Sequence, residues 1–184
     1  MGALQRYTAF LRAINVGGHT VKMDHLRSLF EALRFRDVST FIASGNVIFH
    51  SPSVDTRKLE QQIERHLEKA LGYEVGTFLR SSPELEAISR YEPFAGTGWE
   101  QQGHTLYVLF MHEPATASAR RRVTDLTTED DTLHVNGREI YWLRRTSMRE
   151  SPVSGALLEK LSGVPLTARN INTVNRIVAK YSPL

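Results

Sequence analysis

The sequence predicts an α+β fold built from two ferredoxin-like units with antiparallel sheets, and three observations lead there. Over roughly 75 residues, from the strand beginning near Arg6 to Arg80, short apolar runs and helix-period segments follow one another as strand, helix, strand, strand, helix, strand. From His104 the same order starts again, as strand, helix, strand, strand, helix. Each half also contains a hairpin signal, Ser44-Gly45-Asn46 in the first and Asn136-Gly137 in the second.

Residues 6–13 alternate as a strand, with Tyr7, Ala9 and Leu11 on one face and Thr8, Phe10 and Arg12 on the other. A helix follows from Met23 to Leu33, with apolar Met23, Leu26, Leu29, Phe30 and Leu33 at helical spacing. Val38–Ala43 and Val47–His50 read as strands joined by a tight turn at Ser44-Gly45-Asn46. Ser51-Pro52-Ser53 breaks the chain. A helix then starts at Asp55 or Thr56, presents Leu59, Ile63, Leu67 and Leu71, and stops at Gly72. Val75–Arg80 closes the first unit in the strand order 4-1-3-2, with both helices on one face.

After Pro83 a short helix runs through Ile88, and Pro93–Trp99 reads as a loop at a subdomain boundary. His104–Met111 is a strand and 115–126 a helix. Thr132–Val135 and Glu139–Leu143 form a hairpin, and 154–162 is a helix closed by Gly163 and Pro165. The second unit is expected to be incomplete, its last strand missing or very short. In that place stand a polar loop and a final helix with Val174, Ile177, Val178 and Tyr181 on one face. The expected division is 1–92 and 93–184, packed as one folding unit.

A hydrophobic fraction of 41% supports a real core, and no apolar run is long enough to span a membrane. The N-terminus lacks a signal-peptide pattern, so a cytoplasmic location and no membrane partner are expected. The absence of cysteine removes disulfides, thiolate metal sites, iron–sulfur clusters and a cysteine nucleophile together. From Thr132 onward eight Lys/Arg stand against three Asp/Glu, a basic bias that permits phosphate binding without requiring nucleic acid.

Two polar clusters stand out as a candidate site. The first joins Arg12, Asn15, Gly17 and Gly18 to Ser44, Gly45 and Asn46, because the expected topology sets the end of the first strand beside the start of the third. The second is Arg169, Asn170, Asn172 and Thr173, directly before the last helix, where backbone N–H groups suit an anion. The competing reading makes them well-formed turns and helix caps, with Arg169 in an ion pair. Together the clusters suggest one site for a small phosphate- or carboxylate-bearing ligand.

The segments Arg12–Gly18, Ser44–Phe49 and Thr167–Thr173, in this order, resemble the signatures of the bacterial family catalogued as domain of unknown function 1697. The family pattern has glycine where this chain has Ala13 and an aromatic where it has Ile171. The resemblance implies a double ferredoxin-like arrangement and supplies no catalytic residues, ligand or cofactor.

Other chemistries are declined. Gly17–Lys22 lacks P-loop order, and Ile42-Ala43-Ser44-Gly45 is no nucleophile elbow. The seven histidines are dispersed, so no metal site is expected, and Glu129-Asp130-Asp131 reads as a solvated turn. His19 and His25 are the available general bases near the glycine loop. Two alternatives to a ligand-binding protein remain: a nucleic-acid-binding module stacking bases on Phe10 and Phe49, and a protein-interaction module without catalysis.

Overall fold

The computed structural model describes residues 4–145 and 151–181. The first half runs β1 (Gln5–Leu11), α1 (Met23–Ala32), β2 (Arg36–Thr40), β3 (Asn46–Ser51), α2 (Thr56–Leu71), β4 (Thr77–Ser81) and α3 (Ser82–Arg90). The second runs β5 (Thr105–Phe110), α4 (Ala117–Thr124), β6 (Asp131–Asn136), β7 (Glu139–Arg144), α5 (Gly155–Ser162), β8 (Thr167–Asn170) and α6 (Ile171–Tyr181). Two compact units result: residues up to Ile88 together with the chain from Ile177, and Ser89–Arg176. The dividing lines therefore fall inside α3 and inside α6.

In the first unit the antiparallel sheet has the order β2-β3-β1-β4. The alternation of β1 places Tyr7, Ala9 and Leu11 in a core with Leu26 and Phe30 of α1 and Leu59, Ile63 and Leu67 of α2. Local signals bound α2 as expected. The Asp55 carboxylate accepts from the Lys58 N–H at 3.1 Å, and Gly72 ends the helix at φ 81°. One face of α2 has a second task. Glu64 and Glu60, one helical turn apart, accept from the N–H groups of Thr77 (3.0 Å) and Leu79 (2.9 Å) on the edge strand β4. An edge whose donors are already satisfied is a poor template for strand addition.

The hairpin of this unit differs from expectation. Instead of a tight turn at Ser44-Gly45-Asn46, the loop spans 41–45 and Asn46 is the first residue of β3. Ile42 (φ 51°) and Gly45 (φ 77°) turn the chain, and Phe41 donates its N–H to the Asn46 carbonyl at 2.9 Å. Between Arg36 and Ser39 the register of β2 shifts, with Asp37 at φ 49°, and the strand ends at Thr40, short of its apolar run, just before the left-handed Ile42.

The second unit repeats the order, β6-β7-β5-β8. Its helix-side core gathers Leu109, Met111, Val123, Leu133, Ile140, Trp142 and Leu158. Thr116 and Ser154 cap α4 and α5, and Gly163 (φ 75°) stops α5. Asn136 pairs with Glu139, so the two-residue hairpin loop is Gly137-Arg138 with Gly137 at φ 56°. The closing strand takes the short form. Thr167–Asn170, read as polar loop, is a strand of four residues paired with β5 from Tyr107↔Asn170 to Phe110↔Thr167, so the sheet is completed. Asp131, expected in a solvated turn, is instead fully buried at the start of β6. It accepts from Trp142 Nε1 at 2.6 Å and from the Ser151 hydroxyl, with Arg144 Nε at 3.6 Å. The two donated hydrogen bonds and the Arg144 charge offset the cost of burying a carboxylate.

Candidate functional site

The topology of the first unit brings its two motif loops to one edge of the sheet. Arg12, exposed just past β1, donates its N–H to Gly76 at 2.8 Å, and Leu11 donates to the Gly45 carbonyl at 2.8 Å. The backbone then turns left-handed at Ala13 (φ 68°), Asn15 (φ 55°), Gly17 (φ 60°) and Gly18 (φ 87°). His19 N–H closes the Val16–His19 turn on the Val16 carbonyl at 3.1 Å. One amide joins the two loops. Asn15 Nδ2 donates to the Ala43 carbonyl at 2.9 Å while its Oδ1 accepts from Val21 N–H at 2.7 Å.

Asn46, with 0% exposure, works inside the same edge, donating from Nδ2 to the Phe41 carbonyl and to Ser44 Oγ, both at 2.9 Å. A left-handed backbone at a non-glycine residue costs about 1 kcal/mol or more, and three such residues (Ala13, Asn15, Ile42) stand in these two loops. The Asn15 clamp and the Asn46 bonds supply contacts that hold this conformation. Arg12, Ser44 and the Gly17-Gly18 turn are exposed, and among the described residues nothing lies within 4 Å of a β-carbon added at either glycine. Between Arg12 and Lys22 there is no carboxylate. His19, one of the two candidate bases, stacks on Tyr73 with ring centroids 3.8 Å apart.

The second cluster belongs to the second unit. Arg169 lies on β8 opposite Val108 and is 9% exposed. Its Nη1 donates to Thr167 Oγ1 (3.0 Å) and to the Ala168 carbonyl (2.8 Å). Burial lowers its pKa to about 10, so the guanidinium remains charged at neutral pH. Asn170 Oδ1 accepts from the Asn172 N–H at 2.9 Å, which uses one free donor of the first turn of α6; Asn172 is exposed and Thr173 half-buried in that turn.

A feature the motif reading missed lies in the same unit. A cavity of about 460 Å³ opens between the 91–101 segment and the start of α6, lined by Tyr91, Phe94, Trp99, Glu92, Glu100 and Asn172 among others. The Pro93–Trp99 stretch, read as a boundary loop, forms its wall. Its own bonds shape it: Thr97 Oγ1 donates to the Phe94 carbonyl at 2.7 Å, and His104 N–H to the Trp99 carbonyl at 3.2 Å. Tyr91, which lines it, shares a hydrogen bond of 2.7 Å between its Oη and His134 Nε2. Burial, and then the charge of Arg120, holds the His134 pKa below its ordinary value. The Trp and Tyr flanking a Gly/Pro-rich stretch were the available sequence signal.

Among the described residues no group of three or more His, Asp or Glu is placed to hold a metal ion, and no helix is long and apolar enough to cross a membrane.

No curated protein matches the chain. Among solved structures it is similar to the conserved bacterial protein SP0830 from Streptococcus pneumoniae, at 24% identity and a TM-score of 0.76, covering 98% of this chain and 100% of that one. This likeness shows a common fold. The model of the family described as Protein of unknown function (DUF1697) matches residues 4–141, three quarters of the length, and includes both motif loops of the first unit; the chain belongs to that family.

Proposed function

We propose that this protein binds a small anionic ligand, phosphate- or carboxylate-bearing, at the Arg12–Gly18 loop. The observation behind this reading is the exposed Gly17-Gly18 turn, left-handed at both glycines, in the loop that follows Arg12 and is braced by the Asn15 amide. Glycines there give a ligand close access to backbone N–H groups, and Arg12 adds a planar, charged donor. The segment from Arg12 to Lys22 carries these two cations and no Asp or Glu, a local positive balance that suits an anion. Arg169, Asn170, Asn172 and Thr173 form the lesser part of the proposal, since Asn170 already caps Asn172 and the Arg169 Nη1 is engaged within its own strand.

Base stacking is the weaker reading. Phe10 and Phe49 are fully buried and Phe41 is 8% exposed, which leaves these rings little surface for a nucleobase.

Calorimetric titration with inorganic phosphate and with acetate tests the proposal. Arg12→Ala is expected to cost about 1.5–3 kcal/mol of binding, and Arg12→Lys to restore only part of it. Unchanged affinity in Arg12→Ala, or no binding of either anion to the wild-type chain, refutes it.

A further inference from the structure

The 460 Å³ cavity of the second unit has chemistry opposite to that of the glycine loop. Among the described residues that line it there is no Lys, Arg or His, whereas Glu92 and Glu100 are both there. Tyr91, Phe94 and Trp99 line it as well, with Gln101, Asn172 and Asn175. Volumes of this size hold small organic molecules, and aromatic faces beside carboxylates select a cation with an apolar body over an anion. We infer that this cavity binds a primary alkylammonium ligand, its ammonium group received by Glu92 and Glu100 and its carbon chain lying against Trp99 and Phe94.

Four details support a preformed pocket. Each glutamate opens a main-chain turn: Ala95 N–H bonds the Glu92 carbonyl at 3.3 Å, and Gly103 N–H bonds the Glu100 carbonyl at 3.3 Å. Gln102 Nε2 ties the wall to the Thr97 carbonyl at 3.2 Å. On the opposite side, Ser89 Oγ donates to Asn175 Oδ1 at 2.7 Å and fixes that amide. Gly96 (φ 78°) and Gly98 (φ 66°) line the mouth without side chains to close it. An ammonium group can donate three hydrogen bonds and accept none, which matches carboxylate and amide oxygens.

The chain contains two tryptophans, Trp99 and the buried Trp142, so Trp99 is the reporter at the cavity. Tryptophan emission of the full chain is followed during titration with n-butylammonium chloride at constant ionic strength, and in parallel with n-butanol and with sodium phosphate. The expected result is a saturable change with n-butylammonium, absent with phosphate and much weaker with the isosteric alcohol. Glu92→Gln combined with Glu100→Gln, two exposed isosteric changes, is expected to weaken binding by about tenfold or more while the melting curve stays in place. No saturable change with n-butylammonium overturns the inference, as does equal binding of the alcohol or undiminished affinity in the double variant. Because Arg12 is untouched in that variant, loss of amine binding leaves the anion reading to its own test.

Discussion

Replacing Gly45 with alanine tests the geometry that joins the two motif loops of the first unit. Gly45 sits at φ 77°, and a β-carbon there would stand 2.9 Å from Ile14 Cβ and 3.2 Å from both Ile14 Cγ1 and Leu11 Cβ. The left-handed backbone costs a non-glycine residue about 1–2 kcal/mol. Forcing a methyl group against the stems of two buried side chains adds about 1–3 kcal/mol, because β-carbons are anchored to the backbone and cannot swing aside. Reduced freedom of the unfolded chain returns about 0.4–1 kcal/mol. The net expectation is a loss of about 2–4 kcal/mol, or a midpoint lowered by roughly 5–15 °C in a chain of this size. Gly17→Ala is the internal control, since φ is 60° there but nothing lies within 4 Å. It should cost about 1 kcal/mol or less. Urea and thermal unfolding followed by far-UV circular dichroism measure both. If the two variants lose stability equally, Gly45 is not wedged against Ile14 and the account of the shared edge fails.

Ala13 occupies a left-handed position (φ 68°) where the family pattern has glycine, so Ala13→Gly should stabilise the protein by about 0.5–1 kcal/mol in urea unfolding; a loss of stability would contradict the assigned backbone. The end of α6 is counted with the first unit, and Tyr181 packs edge-on to Phe41 with centroids 6.4 Å apart. A fragment of residues 1–92 lacks that cover and should show no cooperative thermal transition, whereas a sharp calorimetric peak would mean that the first unit folds without it.

The elements legible in the sequence were those whose signals are local. Asp55 and Gly72 bound α2 because a cap is a contact within one turn of chain. The Gly137 hairpin was legible for the same reason. β8 was not, since Thr167-Ala168-Arg169-Asn170 has no apolar alternation of its own; it is a strand because β5 offers it hydrogen bonds from far along the chain. Asp131 was misjudged as solvated because acidity in a run of three reads as surface, and the groups that offset its burial, the Trp142 and Ser151 donors and the Arg144 charge, lie 11 or more residues away. Convergence of the two loops of the first unit followed from topology alone. The cavity did not, because Gly- and Pro-rich chain looks the same whether it links domains or walls a pocket.

The two units share more than an element order. Each consists of strand, helix, strand, strand, helix, strand and a further helix that begins directly after the last strand, at Ser82 in one and Ile171 in the other. Registered through their central strands, Arg80 opposite Thr8 corresponds to Arg169 opposite Val108. Both arginines are buried, and each donates Nη1 to the carbonyl of the residue before it, Leu79 at 2.7 Å and Ala168 at 2.8 Å. Among the described residues β4 and β8 are edge strands, with no further strand beside their outward backbone groups. In β4 the same residue, Leu79, has its N–H taken by Glu60 and its carbonyl by Arg80, so side chains complete the missing half of the ladder. The arginine in this position thus answers a need of the strand-to-helix junction that both units have. Because Arg80 belongs to neither candidate motif yet repeats the contact, that geometry in Arg169 is explained by the fold, and the weight of the anion reading rests on Arg12.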